Sequence, residues 1–345
     1  MKPVRAFAAL GPSEIMKTHL KTSEDIRHSI LRHPALSAIL LLAMLAVAAS
    51  SGWCAQDITF VLRVNGYEMN GVFGEPTAVA VNERAGLLCV TDTKYGRVDA
   101  FSLQGVPKFE YGPEKGLESP WGIAVADDGT MFVSESTGGP IKIIGPKGDK
   151  STLDLPKSEG ESDPKPGRMT LDRDGCLYVV DRANCRVCVF DKERKIKLQF
   201  GRAGGKRGEF KELQDVAVDR QGRIYVLDSS GTPVQVFDKK GKYVYRFGFR
   251  GEGGEDISFP SALFVDQNDQ VWVVDRGRHK FKVFDRSGSF LRSEGTYGLE
   301  EGYLFQPADA EMDGLGRIYV VEAGARRLQV FSLDRPFEPF SPPGL

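Results

Sequence analysis

The sequence predicts an all-β fold, a six-bladed β-propeller of four-stranded antiparallel blades closed by an N-terminal strand that joins the last blade. Three observations carry that prediction. First, one pattern recurs six times from residue 75 onward: EPTAVAVNERAGLLCVTD, SPWGIAVADDGTMFVSE, KPGRMTLDRDGCLYVVD, ELQDVAVDRQGRIYVLD, FPSALFVDQNDQVWVVD and QPADAEMDGLGRIYVVE. The acidic residues ending the copies are Asp92, Glu135, Asp181, Asp228, Asp275 and Glu322, at intervals of 43, 46, 47, 47 and 47. A fixed period of that length is the mark of a repeat architecture built from one supersecondary unit per copy. Second, the first five copies each hold four short strand-like runs. Third, the last copy stops after three of them, while an orphan strand precedes the first copy.

Taken in chain order, residues 1–55 read as a leader. Arg27 and Arg32 precede the apolar run Leu36–Ala49, and Ser50, Ser51 and Gly52 follow. Positive charge, a short apolar core and small residues make a secretory signal peptide. Met16 is an alternative start. An uncleaved anchor is the other reading, since the run reaches about 20 residues if Gly52–Ala55 is counted. Trp53 argues against lipid attachment at Cys54. Export to the periplasm or the exterior is the expected location, and a membrane enters only through this segment.

The propeller is expected over 56–335. The orphan strand Ile58–Arg63 belongs in the fourth position of the last blade, which removes the exposed sheet edges. Copy four shows the blade plan. Ala217 and Val218 lie in the first strand, and Ile224–Leu227 form a second whose continuous apolar run fits burial on both faces. Val234–Phe237 form the third strand and Tyr243–Phe247 the fourth, with turns at Asp219–Gly222 and Asp238–Gly241. Residues 336–345, PFEPFSPPGL, form a Pro-rich tail.

Residues 200–237 (FGRAGGKRGEFKELQDVAVDRQGRIYVLDSSGTPVQVF) and 178–190 (YVVDRANCRVCVF) resemble the NHL repeat family. Its pattern is a Gly-rich approach, a hydrophobic-Ala-Val-Asp strand, a Tyr-Val-x-Asp strand and Asn-x-Arg-Val-x-Val-Phe. The resemblance covers residues 58–335. It implies a propeller that serves as a binding scaffold, an RNA binder or, in a few cases, an enzyme, so function has to be argued from the site.

Composition narrows that choice. The chain has 345 residues, 46 Lys+Arg against 47 Asp+Glu, and 41% hydrophobic residues, enough for a real core. Without the leader's six basic and three acidic residues, 40 basic and 44 acidic remain, a net charge of −4. Nucleic-acid binding needs a basic face, and only a local patch of Lys206, Arg207, Arg246, Arg250, Arg276 and Arg278 offers one, so this partner is disfavoured. His19, His28 and His33 lie in the leader, which leaves His279 alone in the propeller. One histidine cannot supply a multi-histidine zinc site. The segment Gly201–Gly208 lacks the Gly-Lys-Ser/Thr of a phosphate loop. No His follows Cys185-x-x-Cys188, which rules out covalent haem attachment. Cys176 and Cys188, read as sharing a face on neighbouring strands, are candidates for a disulfide, and Cys89 reads as core.

The site candidates are the copies that depart from a small or apolar norm on the innermost strand. Two residues after the blade's leading Pro stand Ala78, Gly122, Arg168, Asp215, Ala262 and Asp309. Two further on stand Ala80, Ala124, Thr170, Ala217, Phe264 and Glu311. Arg168, Asp215, Asp309 and Glu311 are the departures, with Trp121, Arg182, Arg276 and His279 expected on the same rim. Asp215, Asp309 and Glu311 are hard oxygen donors, suited to a structural Ca²⁺ if they converge; no other cofactor is expected. The six acids ending the second strands read as structural caps, with Arg97, Arg186 and Arg327 as hairpin partners. The leading functional expectation is a non-catalytic extracytoplasmic scaffold that binds a protein, peptide or glycan. The alternative is a divalent-cation-dependent hydrolase, similar to lactonases, at the channel mouth.

Overall fold

A computed structural model describes residues 58–64, 66 and 72–333. The leader, Cys54 and the Pro-rich tail therefore lie outside the described residues. Strand β1 (Ile58–Val64) precedes six blades. Blade 1 holds β2 (Pro76–Asn82), β3 (Leu87–Asp92), β4 (Arg97–Phe101) and β5 (Pro107–Tyr111); blade 2 holds β6 (Pro120–Val125), β7 (Met131–Glu135), β8 (Ile141–Ile144) and β9 (Lys150–Leu153). Blade 3 holds β10 (Pro166–Leu171), β11 (Leu177–Asp181), β12 (Arg186–Phe190) and β13 (Ile196–Phe200); blade 4 holds β14 (Leu213–Val218), β15 (Ile224–Asp228), β16 (Val234–Phe237) and β17 (Tyr243–Phe247). Blade 5 holds β18 (Pro260–Val265), β19 (Val271–Asp275), β20 (Lys280–Phe284) and β21 (Phe290–Glu294). Blade 6 holds β22 (Pro307–Met312), β23 (Arg317–Glu322) and β24 (Arg327–Leu333), and β1 completes it. The only helical turn among the described residues is a 3₁₀ turn at Pro113–Lys115.

The ring is closed by β1, which pairs antiparallel with β24 from Ile58↔Leu333 to Val64↔Leu328. A bulge at Val61 splits the strand's side chains between two faces. Ile58 and Phe60 pack toward blade 5, whereas Leu62 and Val64 pack toward blade 1. One strand thus joins both neighbours of the last blade, as the three-strand last copy predicted.

The core is a ring of six apolar layers between adjacent blades. Each second strand feeds two of them: Ile224 and Val226 face blade 3, while Tyr225 faces blade 5 with Leu227. That is why these strands read as unbroken apolar runs. The same alternation corrects the cysteine expectation. Cys188 pairs in register with Val179 and faces blade 2, whereas Cys176 faces blade 4 with Tyr178. They lie on opposite faces of one blade, and the four described cysteines are all free and buried. The third strand β12, which carries Cys188, is buried along its whole length.

The six acids ending the second strands are caps. Each takes backbone N–H groups from the segment entering its own blade: Asp92 from Gly74 and Glu75, Asp181 from Lys165, Asp228 from Lys211 and Glu212, Asp275 from Ser258 and Phe259. Glu135 accepts from Ser119 N–H at 2.6 Å, and Glu322 from Phe305 N–H at 2.5 Å. Arg186 and Arg327 pair with Asp181 and Glu322, while Arg97 pairs with Asp99 and Glu110.

Candidate functional site

In every blade the pairing of the first and second strands shifts just after the strand's leading residue, for example between Pro307 and Asp309 or Leu213 and Asp215. Residues beyond that shift line the central channel. Here Arg168 of blade 3 meets Asp309 of blade 6, directly across the ring. The two form an ion pair, with each side chain at most a tenth exposed. Arg168 Nη2 also donates to Thr77 O at 2.9 Å and Ala308 O at 2.8 Å. One guanidinium therefore ties blades 1, 3 and 6 together across the channel near the inter-blade loops.

The carboxylates are held by backbone. Asp309 accepts from Val79 N–H at 3.0 Å and Ala310 N–H at 2.9 Å. Asp215 accepts from Leu263 N–H at 3.0 Å and Val216 N–H at 2.8 Å. Glu311 accepts from Val81 N–H at 2.6 Å. Burial raises all three carboxyls against the charged form. For Asp215, Arg168 opposes the shift and Asp309 adds to it, leaving it at about 7. Glu311, with Asp309 and Asp215 as like-charged neighbours, rises to about 8. Asp309 is also raised by burial, against the pull of Arg168.

Arg168, Asp215, Asp309 and Glu311 line one cavity of about 770 Å³. It extends to the turns between first and second strands, where Arg84, Asp127, Asp128 and Arg173 stand at the mouth with Arg194 from the turn between β12 and β13. The other four candidates do not line it. Arg182 lies over the Trp121 ring at 5.4 Å and donates to Ser136 O at 3.1 Å. Arg276 is exposed and reaches Gln306 Oε1 at 3.4 Å. His279 has its ring against Tyr297 and Phe305, at 4.8 and 5.6 Å, and its Nδ1 accepts from Gln306 N–H at 2.8 Å. These four sit at the end of the blades that carries the inter-blade loops. That is the end Arg168 braces, with Arg182 close beside it, and the cavity opens at the other end.

The acidic trio does converge on one cavity. Asp215 and Asp309 engage both oxygens with backbone N–H groups, Asp309 pairs with Arg168 as well, and Glu311 engages one oxygen; among the described residues no three His, Cys, Asp or Glu side chains form a group able to hold a metal ion. Arg194 at the mouth was missed in the sequence. It donates to Gly175 O at 3.0 Å and lies 4.3 Å over the Phe132 ring, with a positive φ. Its signal was legible: copy three reads Asp-Lys-Glu-Arg-Lys at 191–195, where copies four and five carry Gly at the same place, Gly241 and Gly288.

A family profile described as a six-bladed β-propeller matches residues 168–232 and 219–299. No curated protein matches the chain in sequence. Among solved structures the chain is similar to the virginiamycin B lyase of Staphylococcus aureus, at 15% identity and TM-score 0.58, over 79% of this chain and 98% of that one. It is similar to a gluconolactonase of Xanthomonas campestris at 16% identity and TM-score 0.58, over 81% of this chain and 96% of the other. A streptogramin B lyase aligns at 13% identity and TM-score 0.55, over 80% and 98%. At such identities the likeness is one of fold.

Proposed function

We propose that this chain is a non-catalytic binding scaffold of the NHL type, acting outside the cytoplasm, which receives part of a protein, peptide or glycan partner in its channel cavity. The observation that carries the reading is the cup itself. Its volume lies within the range of about 300–1,000 Å³ typical of ligand sites, and Arg168 braces one end while the other opens. Its walls are inner strands fixed on both sides by neighbouring blades, which keeps a bound ligand's surroundings rigid. The leader supports the location, and the net charge of the propeller argues against nucleic acid. Native mass spectrometry of the protein isolated from its own cells tests the reading. The parent should carry a ligand or partner that Ala124→Trp, which fills the cavity, does not. Identical spectra for both would overturn it.

A second reading, a hydrolase or lyase, has one feature in its favour: Glu311 is a carboxyl buried in the cavity wall, where burial pushes it up to about 8, the direction a general acid at neutral pH requires. The lyase and gluconolactonase folds named above are in line with it. A structural Ca²⁺ at Asp215, Asp309 and Glu311 is a separate proposal for the same cavity. Millimolar Ca²⁺ would then raise the melting temperature of the parent over chelator, and not that of Asp215→Ala with Asp309→Ala. Equal melting of both proteins removes the cation from the account.

A further inference from the structure

The innermost strand of each blade has a single pairing partner, so half of its backbone groups face the channel. Three carboxylates reveal which ones. Asp309 of blade 6 accepts from Val79 N–H of blade 1, and Asp215 of blade 4 accepts from Leu263 N–H of blade 5. The geometry repeats one step along, where Glu311 accepts from Val81 N–H. In all three cases the acid on one inner strand reaches the N–H one position further on in the next blade.

The register carries the same positions into blades 2 and 3. Val79 and Val81 pair with Val90 and Leu88. Ile123 and Val125 stand in the same relation to Val133 and Met131, as Met169 and Leu171 do to Val179 and Leu177. Their N–H groups therefore face the channel too. The residues placed to serve them are Ala78 and Ala80 for blade 2, and Gly122 and Ala124 for blade 3, whose side chains contain no acceptor. Among the described residues no side chain accepts from these four N–H groups, and all four residues line the cavity. A backbone donor inside a protein demands a partner. Gly122 keeps the wall thin for a further reason: a Cβ there would meet Gly167 O at 2.5 Å.

We propose that the channel recognises an extended peptide segment, laid along the wall of β6 and β10 with its carbonyl oxygens accepting from Ile123, Val125, Met169 and Leu171. The inference rests on the cavity being a binding site. Donors two residues apart on a strand repeat at roughly 6.6–6.8 Å, the repeat of carbonyls along one edge of an extended chain. Strand addition to an unpaired edge is an established mode of peptide capture. The hydroxyls of a glycan have no such period.

The test is backbone-amide NMR of the full propeller, residues 56–345, titrated with a pooled library of acetylated tripeptide amides and, separately, with maltotriose. The expected result is saturable shifts of the Ile123, Val125, Met169 and Leu171 amides with peptide only. Ala80→Gln with Ala124→Gln, whose amide oxygens copy the role of Glu311, should weaken that binding at least tenfold. If the double variant does not fold, the parent titrations decide alone. Peptide shifts located elsewhere, or unchanged affinity in a folded variant, overturn the proposal. Shifts of the four amides by maltotriose alone overturn the peptide and leave the cavity reading standing. No shift with either probe overturns the proposal, and the mass-spectrometric comparison then judges the cavity separately.

Discussion

The two sides of the channel solve one problem in different ways. Along blades 4 and 6 the chain supplies its own acceptors, as Asp215, Asp309 and Glu311 reach the inward N–H groups of the next blade. Along blades 1 and 2 the corresponding residues are Ala78, Ala80, Gly122 and Ala124, which supply none. The scaffold is the same, with the same register between first and second strands. In a repeat protein the shared pattern builds the fold, and the difference between copies marks where the surface is left for something else.

The comparison requires a closed ring, and breaking the ring should have the largest effect. Deleting 56–66 removes β1 and its contacts with both blade 5 and blade 1. Burial is worth about 1.5–3 kcal/mol per fully buried side chain, so the loss should be about 3–6 kcal/mol of a total that is typically 5–15. Urea unfolding measures it, and a variant as stable as the parent would show that the ring closes otherwise.

Next comes the brace across the channel. Arg168→Met leaves Asp309 buried without its partner, and breaking a buried pair on one side costs about 3–5 kcal/mol. Arg168→Met with Asp309→Asn should recover most of that loss. If the double variant is no better than the single one, the pair itself is not what Arg168 contributes.

The carboxylate wall also predicts a pH dependence. Asp215 and Glu311 have native values of about 7 and about 8, above the ordinary carboxylate range, so the native state binds more protons than the unfolded one at intermediate pH. Their stabilising contribution is full below about pH 4 and is lost as pH rises through 7 to 8. Glu311→Gln keeps an oxygen for Val81 N–H and removes the proton. Its stability relative to the parent should therefore rise between pH 5 and pH 8.5. A constant difference would mean that Glu311 titrates normally.

Much of this was legible beforehand. Period, blade plan and closure follow from apolar runs and turn residues, and the six second-strand acids read correctly as caps because their spacing follows the turns. The convergence of Arg168, Asp215, Asp309 and Glu311 was also readable, since each is a departure at an aligned position. Other features were not. Parity across a hairpin depends on register, so Cys176 and Cys188 were assigned to one face when they lie on two. Trp121, Arg182, Arg276 and His279 stand at the braced end of the channel and do not line the cavity, which aligned positions alone do not tell. The unserved N–H groups belong to the backbone, and no side chain announces them.

His279 illustrates the smallest effect. It fills the space between Tyr297 and Phe305 and accepts from Gln306 N–H, so His279→Ala should cost about 1–2 kcal/mol and leave cavity binding unchanged. Altered ligand binding in that variant would couple the two ends of the channel.

The difference between the two walls is tested most directly by amide hydrogen exchange, residue by residue, on the ligand-free propeller. The account predicts slow exchange at Val79, Val81 and Leu263, whose N–H groups are held by carboxylates, and exchange at least tenfold faster at Ile123, Val125, Met169 and Leu171. Equal protection on the two sides would contradict it.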